Sequence, residues 1–318
     1  MIKLGIVSPC YNEQDVLEES ARRLTTLLAD LHEKGKVSDD SFVLYVNDGS
    51  QDNTWGVIER LHAQNRIVNG INLAHNVGHQ NAIMAGMMTA KDLCDGIVTV
   101  DCDLQDDIRA IEKMVDLYAQ GNDIVYGVKV SREADSWMKR VSAQSFYRLQ
   151  EMMGVKVVYN HADFRFMSHR ALQALAEYPE RNLYLRGMIP TLGFKTATVD
   201  DVLSERIAGR SKYTLHKMLR LASDGITSFS SQPMTLMVWV GGLMLLVAVV
   251  MAVYVLVSFL SGHYVVGWSS LMLSVWFIGA VITIGIGVCG TYIGKIYTEV
   301  KKRPLYIVAD KLLHEKQK

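Results

Sequence analysis

The stretch Gly96-Ile97-Val98-Thr99-Val100-Asp101-Cys102-Asp103-Leu104-Gln105-Asp106 carries the decisive signal. A short, β-branched apolar run reads as a buried strand, and it opens at once into a loop holding three acids. Upstream, apolar runs at Leu4–Ser8, Phe42–Val46 and Ile67–Leu73 alternate with helical patterns over Gln14–Leu31, Asn53–Gln64 and His79–Thr89. Downstream, Ile108–Gln120 reads as a helix and Asp123–Gly127 as a strand. This alternation predicts an α/β domain with a mostly parallel sheet covered on both faces. Ligands of such sheets gather beyond the carboxyl ends of the strands. The unusual residues cluster there: Pro9-Cys10-Tyr11-Asn12-Glu13 after the first strand, Asn47-Asp48-Gly49-Ser50-Gln51-Asp52 after the second, and the acids Asp101–Asp106 after the fourth. Any one loop could be an ordinary turn or helix cap. Three at one sheet edge form a site.

Composition divides the chain further. Its 318 residues hold 33 Lys and Arg against 33 Asp and Glu, a net charge of zero that excludes the basic excess of a nucleic-acid binder. The four cysteines form no paired motif, which points to a reducing compartment. From Gly225 to Gly294, 70 consecutive residues carry no Asp, Glu, Lys or Arg. Two apolar runs lie inside, Met234–Leu260 and Val265–Ile293, each longer than the ~20 residues needed to cross a bilayer core. The loop Ser261–Gly267 between them has no cation, whereas Arg206, Arg210, Lys212, Lys217 and Arg220 precede the first run and Lys295, Lys301, Lys302 and Arg303 follow the second. The positive-inside rule then expects a two-span protein of the plasma (inner) membrane with its soluble domain and both termini cytoplasmic. The start of the chain is too short in apolar residues before Pro9 to read as a signal peptide. The expected division is a cytoplasmic domain over 1–210, amphipathic juxtamembrane helices over 211–232, a transmembrane hairpin over 233–294 and a basic cytoplasmic tail over 295–318. Gly241, Gly242 and the glycines between Gly279 and Gly294 permit helix contacts between copies, so a homo-oligomer is open.

Asp101 and Asp103, one residue apart, can approach one divalent cation from the same loop, with Gln105 offering a neutral oxygen at the next alternate position. Such hard oxygen ligands suit Mg²⁺ or Mn²⁺ shared with substrate phosphates. Neither a Gly-x-x-x-x-Gly-Lys-Ser/Thr loop nor a Gly-x-Gly-x-x-Gly turn follows a strand, so phosphates must be met by other cations. Arg206 and Lys212, in a glycine-containing segment, are candidates, while His75, His79 and His161 read as ordinary polar residues.

Together, Pro9–Glu13, Asn47–Thr54, Asn76–Gly86, Asp101–Asp106, His161–Met167, Gly209–Tyr213 and Gly294–Pro304 make the chain resemble a family-2 glycosyltransferase of the GT-A fold, over almost its whole length. Within that family it resembles the polyprenyl-phosphate glycosyltransferases, which include the bactoprenol glucosyltransferases and dolichol-phosphate mannose synthase. The resemblance implies that Pro9, Tyr11, Glu13 and Asp48 hold the nucleotide base and ribose, with Asn12 and Cys102 among the donor contacts. It implies that Asp101, Asp103 and Gln105 manage a metal and the pyrophosphate, and that Arg206 and Lys212 close over the donor phosphates. Asp163 is then the catalytic carboxylate alongside Asp103, and Arg165 and Lys129 meet the acceptor phosphate. Asn47 stands where relatives often have an acid, and Cys102 where a small residue such as alanine is common. The implied reaction is an inverting transfer of one sugar, with UDP-glucose favoured as donor, to a membrane polyprenyl phosphate such as undecaprenyl phosphate. A different acceptor, or a non-catalytic scaffold with a vestigial nucleotide site, is the alternative.

Overall fold

The computed structural model describes residues 1–129, 161–202, 232–261 and 267–314. An eight-stranded sheet is its centre, in the order β7-β5-β6-β4-β1-β2-β3-β8. Its strands are β1 (Leu4–Cys10), β2 (Phe42–Asn47), β3 (Val68–Leu73), β4 (Gly96–Thr99), β5 (Ile124–Lys129), β6 (His161–Ser168), β7 (Thr196–Asp201) and β8 (Val308–Leu312). β1 lies parallel to both β2 and β4, and β2 is parallel to β3, as the strand–helix alternation predicts. The sheet is nevertheless mixed. β6 runs antiparallel between β4 and β5, and β8 runs antiparallel along the edge of β3.

Side chains that alternate along the strands feed two separate cores. Leu4, Ile6, Val43, Tyr45, Val98, Phe164 and Phe166 face one side. There they meet α1 (Leu17–Glu33), α2 (Thr54–Gln64) and α4 (Ala110–Ala119), which contribute Leu24, Leu28, Ile58, Ile111 and Met114. Val7, Leu44, Val46, Ile71, Ile97 and Met167 face the other side. They meet α3 (His79–Ala90), α5 (His169–Ala176) and α6 (Leu185–Thr191). The result is a three-layer α/β/α domain of the Rossmann-like GT-A type. β1 and β2 are buried along their entire length, which explains why they read as unbroken apolar runs.

Two long helices follow, α7 (Gln232–Leu260, 29 residues) and α8 (Trp268–Lys301, 34 residues). Large apolar side chains on both stand in the open, among them Trp239, Leu246, Val253, Phe277, Ile284 and Ile293. Among the described residues, one segment, Phe277–Lys301, is long and apolar enough to cross a membrane by length and composition. The juxtamembrane segment expected over 211–232 falls outside the described residues except for its last, Gln232. Residues beyond α8 do more than form a basic tail, because β8 returns to the sheet and pairs Leu312 with Gly70 and Asp310 with Asn72.

Packing of α3 on the sheet hinges on Gly86, where an added Cβ would lie 2.3 Å from Val7 Cγ1 and 2.8 Å from Val46 Cγ2. Alanine gains about 1 kcal/mol of helix propensity over glycine. Overpacking a well-filled core costs about 1–3 kcal/mol, so the clash should win. Gly86→Ala is expected to lower the melting temperature by several degrees; an unchanged or raised melting temperature by calorimetry would show that α3 can lift from β1 and β2 without penalty.

Candidate active site

Four loops at the carboxyl end of the sheet line a cavity of about 380 Å³. Pro9, Tyr11 and Glu13 enter it from the loop after β1, Asp48 from that after β2, and Asp101, Cys102 and Asp103 from that after β4. The loop after β3 adds Asn76, Gly78 and His79, none of which sequence reasoning had assigned to the site.

Backbone locks hold the loops together. Asn12 has φ of 56°; its N–H donates to Ser50 Oγ at 3.0 Å and its Oδ1 accepts the Gln51 N–H at 2.8 Å. Asn12 therefore joins the first loop to the second and is not among the residues lining the cavity. Glu13 N–H donates to Thr54 Oγ1 at 2.9 Å, reinforcing the same junction. The Asp48 carboxylate accepts the N–H groups of Val77 at 2.7 Å and Gly78 at 3.0 Å, drawing the third loop inward. Gly49, with φ of 60°, sits so close to that loop that a Cβ would lie 2.5 Å from Asn76 N. Burial pushes the Asp48 carboxyl above its ordinary range, more than these two N–H donors and the nearby His79 and His75 pull it down.

Asp163 lies at the same edge, within reach of the cavity residue His79. It stands on β6 with only 8% of its surface exposed. Arg165, two residues on and thus on the same strand face, donates through Nη2 to Asp163 Oδ1 at 2.6 Å. Arg186 of α6 donates to Oδ2 at 3.1 Å, and His79 Nε2 lies 3.4 Å from the same oxygen and 3.6 Å from Asp101 Oδ1. Burial alone would raise the Asp163 pKa, but the His79 hydrogen bond and the Arg186 and Arg165 charges outweigh it and hold it well below the usual carboxylate range. Burial would lower His79, yet Asp163 and Asp101 raise it above an ordinary histidine. His79 is thus surface-exposed, at 46% of its side chain, and hydrogen-bonded to Asp163, with Asp101 as its second partner. The sequence cue for His79 was its place in the Asn76–Gly86 motif and at the start of α3, whereas Arg186, in α6, had none.

Asp101 is pushed up by burial and by the neighbouring Asp163 and Asp103 charges, with His79 opposing. A cation would relieve this crowding of carboxylates, and two hard oxygen donors on one loop fit Mg²⁺ or Mn²⁺ sharing the remainder of its shell with substrate. Among the described residues no three His, Cys, Asp or Glu side chains form a closed cage. Gln105 is absent from the cavity lining; its backbone N–H donates to Asp103 Oδ1 at 3.3 Å. Cys10 and Cys102 floor the cavity, and burial pushes the Cys10 thiol well above its ordinary range, so it stays protonated. Lys129 lies 3.7 Å from the buried Asp106. Burial raises Asp106 to about 8, with Asp101 and Asp201 adding to the rise and Lys129 opposing it. Arg206 and Lys212 fall outside the described residues.

Residues 5–176 match the model of the family described as glycosyl transferase family 2. The uncharacterized glycosyltransferase YkoT of Bacillus subtilis strain 168 is 45% identical over 312 residues, covering 98% of this chain and 93% of that protein. A prophage bactoprenol glucosyl transferase homolog of Escherichia coli K12 is 35% identical over 315 residues, covering 96% and 98%. Among solved structures, the glucosyl-3-phosphoglycerate synthase of Mycobacterium tuberculosis superposes with a TM-score of 0.48 at 16% identity, over 72% of this chain and 79% of that one.

Asp106→Asn keeps the shape of the buried acid and removes its charge. On folding, Asp106 takes up a proton at any pH between its ordinary 3.8 and about 8, so the parent loses stability as pH rises through that window. The variant's thermal stability relative to the parent should therefore be nearly unchanged at pH ~4, grow with pH and level off above pH ~8. A difference that calorimetry finds independent of pH would place Asp106 in an ordinary ionised state.

Proposed function

The chain belongs to glycosyl transferase family 2, and we propose that it transfers one sugar from a nucleotide diphosphate to the phosphate of a membrane polyprenol, at the cytoplasmic face. The observation that carries this reading is the meeting of two chemistries at one sheet edge. Asp101 and Asp103 share a cavity with Tyr11, Glu13 and Asp48, and the cation-ringed Asp163 stands beside Asp101 through their common partner His79. Full-length relatives named bactoprenol glucosyl transferase, and the open apolar faces of α7 and α8, support a lipid acceptor. On this reading α7 and α8 both span the bilayer of the plasma membrane, and the donor and acceptor are UDP-glucose and undecaprenyl phosphate.

Tyr11, Glu13 and Asp48 bind the nucleoside, with Arg206 and Lys212 closing over its phosphates. Asp101 and Asp103 would hold Mg²⁺ or Mn²⁺, which when bound supplies Lewis-acid stabilisation of the departing nucleotide diphosphate. A phosphate monoester has its second pKa near ~6 and arrives as an anion, so no strong base is required. Asp163 agrees with that: an ionised carboxylate already held by two arginines and a histidine is a poor proton acceptor. Its role is to fix Arg186 and His79. Arg186, with its side chain 26% exposed, and Lys129, at 35%, meet the acceptor phosphate, while Arg165, at 1%, braces Asp163 from within. Direct attack by the acceptor oxygen on the anomeric carbon, with the nucleotide diphosphate leaving from the opposite face, inverts the linkage.

Full-length protein in lipid nanodiscs, given undecaprenyl phosphate and a panel of nucleotide sugars, should yield a lipid heavier by one hexose, in a reaction dependent on Mg²⁺ or Mn²⁺. Transfer to a water-soluble acceptor without any need for lipid would overturn the reading. Asp103→Ala should abolish the metal-dependent part of donor affinity in calorimetry; undiminished affinity would remove Asp103 from the metal site. Asp163→Asn should cut transfer at least ~100-fold, the scale of losing a transition-state electrostatic partner, with donor affinity intact. Near-normal turnover would remove Asp163 from the reaction.

A further inference from the structure

Glu299 sits in the last turn of α8, where a negative charge opposes the helix dipole. Its partners lie on a different part of the chain, in the loop between α5 and α6. Arg181 N–H donates to both carboxylate oxygens at 2.9 Å, Asn182 N–H donates to Oε1 at 2.7 Å, and Asn182 Nδ2 donates to Oε1 at 2.7 Å. The same Nδ2 also reaches the Lys295 carbonyl at 3.1 Å, one helical turn earlier. Two backbone donors and a side-chain amide thus converge on one carboxylate.

The loop is held at its other end as well. Leu185 N–H donates to Gln80 Oε1 at 3.0 Å, and Gln80 directly follows His79. The next residue, the second of α6, is Arg186. Residues 181–186 are therefore a short brace strung between the end of α8 and the start of α3, and both groups that reach Asp163 from outside its own strand, Arg186 and His79, lie at the α3 end of that brace. The end of α8 is itself fixed to the sheet: Ala74 N–H donates to the Ile307 carbonyl at 2.9 Å, and β8 continues along β3.

We propose that Glu299 is a positioning residue for sugar transfer: by gripping the Arg181 and Asn182 amides it holds Arg186 against Asp163, so the seating of α8 sets the geometry of the acceptor side. This rests on the transfer reaction proposed above. It gives the membrane helix a part in the chemistry beyond anchoring. A lipid phosphate presented at a height fixed by the bilayer meets an arginine whose position is fixed by the helix.

The test is Glu299→Gln in the full-length protein in nanodiscs, an isosteric change that preserves packing while turning an acceptor of three N–H groups into a mismatched amide. Expected are faster hydrogen exchange across residues 181–187, an unchanged donor KM, and kcat/KM for undecaprenyl phosphate lower by about tenfold, in line with small misplacements at reacting centres. Asn182→Ala, which leaves both backbone donors, should move the same parameters less. Faster exchange with unchanged acceptor kinetics would reduce Glu299 to an anchor, and unchanged exchange would show that the brace does not depend on it; either overturns the proposal. A parallel fall in donor and acceptor parameters, tracking lost folded protein, would also overturn it. Should the parent transfer nothing to undecaprenyl phosphate from any nucleotide sugar, the reaction proposed above fails, and the brace is then judged on hydrogen exchange across residues 181–187 alone, unchanged exchange in Glu299→Gln overturning it.

Discussion

A carboxylate buried on β6 constrains everything around it. Removing an ion such as Asp163 from water costs several kcal/mol unless charged partners replace the solvent, and leaving it half-paired costs about 3–5 kcal/mol. Here the partners come from three elements: Arg165 from its own strand, His79 from the start of α3 and Arg186 from α6. The antiparallel insertion of β6 beside β4 makes the arrangement productive. Its register pairs Thr99 with Arg165, and the same register carried two residues further sets Asp163 beside Asp101. A parallel strand in that slot would have sent its chain to the opposite edge of the sheet.

That geometry separates the labour of the site. Loops after β1, β2 and β3 are cross-braced by Asn12, Asp48 and the tight approach at Gly49, giving a rigid cradle for a nucleotide. On the proposed reading, the loop after β4 supplies crowded acids suited to a divalent cation, and the Asp163 group supplies cations for an anionic acceptor. A soluble donor and a bilayer-held acceptor would then meet only with these two halves facing the membrane surface. The end of α8 is bonded to Arg181 and Asn182, just ahead of the turn of α6 that carries Arg186.

Much of this was legible in the chain. Strands β1 to β5 and helices α1 to α4 follow from apolar runs and helical spacing, because fully buried parallel strands leave an unmistakable signature. The three polar loops were recognisable from their place after those runs. What escaped has physical reasons. In β6, His161-Ala-Asp-Phe-Arg-Phe-Met-Ser168 alternates properly, with Phe164 and Phe166 on one face, but its other face is charged and buried, so it reads as a motif rather than a strand. β8 is short, carries two charges in five residues and lies far along the chain, and only its long-range pairing with β3 makes it a strand. His79 and Arg186 acquire their roles from Asp163, a contact across 84 and 23 residues of chain respectively, which no local spacing reveals. Arg165, expected at the acceptor phosphate, is 1% exposed, because a charge two residues from a buried acid on one strand face is drawn to it first.

The central claim is that Asp163 acts through the cations it holds, and a double-mutant cycle on sugar transfer tests it most directly. Turnover would be measured for the parent, Asp163→Asn, Arg186→Gln and the double variant, all as folded full-length protein in nanodiscs. If Asp163 works by fixing Arg186, the double variant should be scarcely slower than the worse single one. Losses that multiply would mean the two residues act independently, and Asp163 would then need a direct role in the chemistry that its ring of donors does not provide.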